Sequence, residues 1–154
     1  MTRSETYPAS AHLGVVGWNH KEWVGGFFPG DMPEDWRLTY FNTQFGFVYL
    51  SREEWLKAGH EEWRRWGAEC HDQFLFLLEA SPEDVMPHEL EGRCKRVEAG
   101  CEDVIWFDRN TDLKRLASAL RERSQGVTWL ISRDADLGQI GRVRTLLELL
   151  GVNA

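Results

Sequence analysis

Gln73-Phe74-Leu75-Phe76-Leu77-Leu78-Glu79 is an almost unbroken apolar run closed by a carboxylate. A strand with one wet face alternates apolar and polar residues; a continuous run suits a strand covered on both faces, as in a parallel sheet. Similar runs recur on either side. His12–Trp18 is short and apolar and ends in Gly-Trp. Gln44–Leu50 is apolar and aromatic. Asp103–Asp108 and Val127–Ser132 repeat the pattern downstream. Each predicts a strand.

Helical patterns lie between these runs. Glu34–Tyr40 predicts a short helix. Ser51-Arg52-Glu53-Glu54 matches a capping box, in which the Ser oxygen accepts from a backbone N–H three residues on and the Glu reaches back. The helix it opens is expected to run to Cys70, with Trp55, Gly59, Trp63 and Trp66 sharing a core-facing side. Ser81-Pro82 predicts one helical turn, and a second helix is expected over His88–Ala99, stopped by Gly100. Thr111–Glu122 carries Leu113, Leu116, Ala117 and Leu120 at helical spacing. Asp136 is placed to cap a last helix that buries Ile140, Val143, Leu147 and Leu150 and ends at Gly151.

Strands alternating with helices define an α/β protein of about five strand–helix units with a mostly parallel sheet. Two architectures fit: an open, doubly wound sheet or a shortened TIM-barrel-like fold. A complete barrel needs eight units and roughly 250 residues, and the chain has 154. Residues 1–11 are expected to be a flexible tail and residues 12–154 a single α/β domain.

Composition narrows the function. Twenty-five acids against 18 bases give a net charge of −7, which disfavours a nucleic-acid footprint. Arg115, Arg121 and Arg123 read as a solvated helix face. Cys70, Cys94 and Cys101 are odd in number and lack CxxC spacing, which fits a reduced, cytoplasmic compartment rather than a disulfide or zinc framework. The polar opening lacks a signal-peptide core, and no apolar run is long enough to span a bilayer. No phosphate-loop, dinucleotide, nucleophile-elbow or HExxH signature is present, and no cofactor or metal is indicated.

In both architectures ligands bind at the carboxyl ends of the strands. That rule nominates Trp18, Asn19, His20 and Lys21 after the first strand, with Trp23 and Phe28 in the aromatic loop beyond. It adds Glu79 after the third, Asp108 and Arg109 after the fourth, and Asp134 after the fifth. His20, Glu79 and Asp108 are the candidates for acid–base chemistry; the others are candidates for ligand contact. Each has a structural alternative. Asp108 and Asp134 precede helices, where acids also stabilise the N-terminus, and Glu79 has the option of pairing with a cation. His60 reads as a surface residue, His88 as a cap or solvent-facing residue, and His12 and His71 carry no pattern.

Gly14-Val15-Val16-Gly17-Trp18-Asn19-His20-Lys21-Glu22-Trp23-Val24-Gly25-Gly26-Phe27-Phe28-Pro29 resembles the opening of the YecE-like family, domain of unknown function 72. Gly14, Gly17, Trp18, Trp23, Gly25, Phe27 and Pro29 match its pattern of spaced Gly, Trp and Pro. Pro33 and Trp36, Phe41-Asn42-Thr43, Ser51 to Trp55, Trp66, and Phe74-Leu75-Phe76 with Glu79-Ala80-Ser81-Pro82 continue the likeness, which covers about residues 12–92. The resemblance implies TIM-barrel ancestry and no settled biochemical role. The chain departs from the family pattern where Phe45 and Phe47 replace polar strand residues, His20 a Tyr and Glu79 a Lys, so chemistry that used those groups is lost or changed. The expected function is binding of a small polar ligand or a protein partner, with weak catalysis or none. The rival is a hydrolase or isomerase of a sugar-like or phosphorylated molecule. A shortened barrel leaves open strand edges, for which there are two solutions: the sheet flattens with helices on both faces, or two chains associate to cover the edge, and the second predicts a homodimer.

Overall fold

The chain divides into two compact units: Gly14–Cys101, and the segment up to Leu13 together with the segment from Glu102 onward. The structure, a computed structural model, describes residues 10–123 and 126–152. Most of the expected tail lies outside the described residues; Ser10 and Ala11 already belong to the first strand, β1 (Ser10–Val15).

The unit Gly14–Cys101 is built on a parallel sheet ordered β2-β3-β4, from β2 (Phe47–Leu50), β3 (Leu75–Glu79) and β4 (Cys94–Val97). Phe47 pairs with Leu75 and Leu50 with Leu78, while Phe76 pairs with Cys94 and Glu79 with Val97. Phe76, Leu77 and Leu78 are fully buried, as their unbroken apolar run requires of a central parallel strand. The stretch after β1 runs alongside β2, with Val16 bridged to Tyr49 and the Gly17 N–H donating to the Tyr49 carbonyl at 2.9 Å. A Cβ on Gly14 would lie 2.5 Å from the Phe47 ring, so this close approach needs glycine.

Three helices pack on this sheet: α1 (Arg37–Gln44), α2 (Arg52–Ala58) and α3 (His60–Glu69). Trp23, Phe28, Phe41 and Phe45 form an aromatic core, with Phe41 stacked on Phe45 at 4.6 Å. Asn42, from the Phe-Asn-Thr run, is buried and bound on both ends. Its amide donates to the Thr39 carbonyl and its oxygen accepts from the His71 N–H, which ties the end of α1 to the approach to β3.

Two sequence expectations are corrected here. The helix expected from Ser51 to Cys70 is two helices, broken at Gly59, whose φ of +86° ends one and starts the next. The tryptophan stripe survives the break: Trp55, Trp63 and Trp66 are all buried. The helix expected over His88–Ala99 is instead a single 3-10 turn, His88–Leu90, followed by β4. Cys94-Lys95-Arg96-Val97 lacks a helical apolar stripe, and pairing with the buried β3 decides its conformation. As the end strand of its sheet, β4 carries Lys95 and Arg96, residue types that discourage edge-to-edge pairing.

In the second unit the strand order is β1-β6-β5, from β5 (Val104–Phe107) and β6 (Val127–Ser132), which run parallel with Val104 opposite Trp129 and Phe107 opposite Ser132. Helices α4 (Leu113–Glu122) and α5 (Leu137–Leu150) are capped by Asp112 and Asp136, which accept from the N–H groups of Lys114 and Gln139. Ile140, Val143 and Leu147 are buried along α5, and Gly151 closes it in the left-handed conformation. No helix among the described residues is long and apolar enough to cross a membrane.

Candidate functional site

The unit Gly14–Cys101 holds a groove of about 710 Å³. It opens where the chain leaves β1 and runs past the start of α1, along α2 and down one side of α3. Trp18 and Trp66 form its apolar wall, edge to face at 5.2 Å, and Trp66 stacks in turn on Phe76 at 5.9 Å. Around this wall stand the acids Glu34, Asp35, Glu54, Glu62 and Glu69, with the cations Lys57 and Arg65. Five carboxylates against two cations give the groove a negative bias.

These charges are held unequally. Arg65 is spanned by Glu62 at 3.6 Å and Glu69 at 3.0 Å, pairs made possible by their three- and four-residue spacing on α3. Asn19 donates to Glu34 at 3.2 Å and accepts from Arg37, which fixes the rim where β1 ends. Glu54 makes no side-chain hydrogen bond or ion pair among the described residues. Surrounding protein removes enough water to push its carboxyl above the usual carboxylate range, although the residue as a whole stays exposed. The capping box is therefore half realised: the Glu54 N–H donates to Ser51 Oγ at 3.2 Å, while the Glu54 carboxyl lies in the groove lining.

The residues nominated after the first strand part company. Trp18 and Asn19 line the groove. His20 is not among the lining residues; its Nε2 is 3.1 Å from the Gly17 carbonyl, its Nδ1 3.7 Å from Glu22, and its ring 4.5 Å from Trp23. Trp23 and Phe28, each 1% exposed, belong to the aromatic core and shape the loop from inside. Lys21 is exposed on a 3-10 turn.

Glu79 is a junction. Its carboxylate accepts from the Arg52 N–H at the start of α2, at 3.0 Å, and from the Tyr49 hydroxyl. Its carbonyl accepts from Trp55 Nε1 at 2.8 Å. Burial, then the Glu79 charge and hydrogen bond, push the Tyr49 phenol above its ordinary range.

The nominated residues of the second unit make turns. Asp108 accepts from the Asn110 N–H at 2.9 Å, and its own N–H donates to Thr111 Oγ1. Asp134 accepts from the N–H groups of Arg109 and Asp136 at 3.0 and 3.2 Å. Arg109 is exposed.

Sequence reasoning missed Glu34, Asp35, Glu54, Lys57, Glu62, Arg65, Trp66 and Glu69 as groove residues. A signal existed in α3, where Glu62, Arg65, Trp66 and Glu69 recur at i, i+3, i+4 and i+7 around an aromatic.

Parallel strands alternating with helices place the chain in the α/β class. Within it, the model of the family described as "Protein of unknown function DUF72" matches residues 12–103, and the chain belongs to that family. The fold resembles a crystal structure of a DUF72 family protein from Thermotoga maritima, with TM-score 0.63, 11% identity, and 92% of this chain and 99% of that chain covered. A comparison with curated proteins finds no match.

Proposed function

We propose that the protein binds a small, polyhydroxylated, neutral or positively charged molecule in the groove of Gly14–Cys101. The observation that carries this reading is the pairing of an aromatic wall, Trp18 on Trp66, with five carboxylates in one groove. Aromatic faces cover the apolar side of a sugar-like ring at little entropic cost, and carboxylates accept from its hydroxyls. The excess of acids repels phosphate, which argues against a phosphorylated ligand. Glu54, with its raised carboxyl pKa and no competing partner among the described residues, is the group best suited to donate a proton to a bound hydroxyl or ether oxygen. Glu79 suits a supporting role, because its oxygens already serve Arg52 and Tyr49. Self-association through an open sheet edge is the weaker partner reading, since the exposed Lys95 guards β4.

Saturation-transfer NMR with neutral and amino monosaccharides, and with sugar phosphates as the contrast, tests this. Transfer to neutral or amino sugars that disappears in Trp18→Ala supports it. No transfer, equal transfer in Trp18→Ala, or preference for the phosphates overturns it.

A further inference from the structure

His60, His88 and Glu89 come together on the unit Gly14–Cys101, and none of the three lines the groove. His60 is the first residue of α3, set there by the left-handed Gly59. His88 and Glu89 lie in the 3-10 turn before β4. One potential ligand atom from each residue falls within 4.8 Å of the other two.

The carboxylate between the imidazoles is unusual. The Glu89 side chain is only 5% exposed, yet its two flanking histidines are 68% and 77% exposed. Oε2 meets His60 Nδ1 at 2.6 Å. Oε1 is buried, has no hydrogen-bond partner among the described residues, and faces His88 Nδ1 at 3.5 Å. A buried carboxylate oxygen left unsatisfied is costly and calls for a partner. The two imidazoles are on the solvent side, where a cation can arrive, and their exposure leaves them free to rotate toward it.

We propose that His60, His88 and Glu89 form a site for a zinc-class divalent cation. Two imidazole nitrogens and one carboxylate suit a borderline cation and suit magnesium or calcium poorly. Three protein ligands leave a fourth position for water. The N-terminus of α3 is a positive helix end and opposes a cation; the carboxylate of Glu89 and the nearby Glu61 and Glu62 of the first turn offset it. A bound cation would fasten α3 to the turn before β4, two segments 29 residues apart in sequence.

The test is titration of chelator-treated full chain with zinc chloride by calorimetry, with magnesium chloride as the contrast. The wild type is expected to bind one zinc ion through these residues, and His60→Ala and His88→Ala are each expected to weaken it ~10-fold or more. Zinc should raise the thermal midpoint of the wild type and leave that of the His60→Ala/His88→Ala double variant unmoved. Both histidines are on the surface, so these variants should keep the wild-type circular dichroism. No zinc binding by the wild type, unchanged affinity in the double variant, or equal binding of magnesium overturns the assignment.

Discussion

Replacing Glu79 by Ala separates a structural from a purely chemical role for that carboxylate. Two donors lose their acceptor. The Arg52 N–H is one of the first-turn donors of α2 that no intrahelical carbonyl can satisfy, and losing such a cap costs about 1 kcal/mol. The Tyr49 hydroxyl belongs to a side chain only 7% exposed, and leaving it unpaired costs about 1–3 kcal/mol. The sum is about 2–4 kcal/mol, which for a chain of this length lowers Tm by roughly 4–16 °C. Thermal unfolding followed by circular dichroism measures it. Glu79→Gln keeps one acceptor and should fall between the variant and the wild type. The phenol gives a second readout. Its folded pKa is raised, so the tyrosine stabilises the fold fully below its unfolded pKa, about 10, and that contribution is lost as pH rises through the folded value. Removing Glu79 takes away two of the three causes and should move Tyr49 ionisation to lower pH in an ultraviolet titration. A Tm within about 1 °C of wild type, inside the scatter expected of a neutral substitution, together with an unmoved Tyr49, would refute the junction.

Two further outcomes are expected. Gly14→Ala should destabilise the chain by about 1–3 kcal/mol, because the new Cβ meets a buried Phe47 ring that has no room to move; chemical denaturation with an unchanged midpoint would contradict that. Burial first, with Glu69 adding to it and Arg93 opposing, pushes the Cys70 thiol up to about 12. Cys70 should therefore resist a thiol reagent at pH 8 in the folded chain and react after denaturation, and fast labelling of the native protein at Cys70 would show the packing to be wrong.

Much of the fold was legible where the sequence carried a single dominant signal. The β6 run Val127–Ser132 stands as read, and Asp136 and Gly151 bound α5 as their chemistry predicts. Signals failed where two pointed different ways. Ser51 to Cys70 has one helical period throughout, but Gly59 costs little in the left-handed region and lets the chain turn there. β4 has no local strand signature, and only pairing with β3 creates it. The lining of the groove was partly legible for the same reason. Trp18 and Asn19 followed from the rule that ligands gather at strand exits. Glu54 hid behind its role in the capping box, and Trp66 behind the correct inference that it is core. The cluster at His60 was invisible because 28 residues separate it from His88, and only the fold brings them together.

The indole N–H resonances of Trp18 and Trp66 report on the groove directly. Assigned by Trp18→Phe and Trp66→Phe, they are to be followed in a nitrogen–proton correlation spectrum while an amino monosaccharide is titrated in. If the groove binds as proposed, these two indoles shift in a saturable manner and Glu54→Gln weakens the response. Shifts confined to other indoles, or none at all, would contradict it.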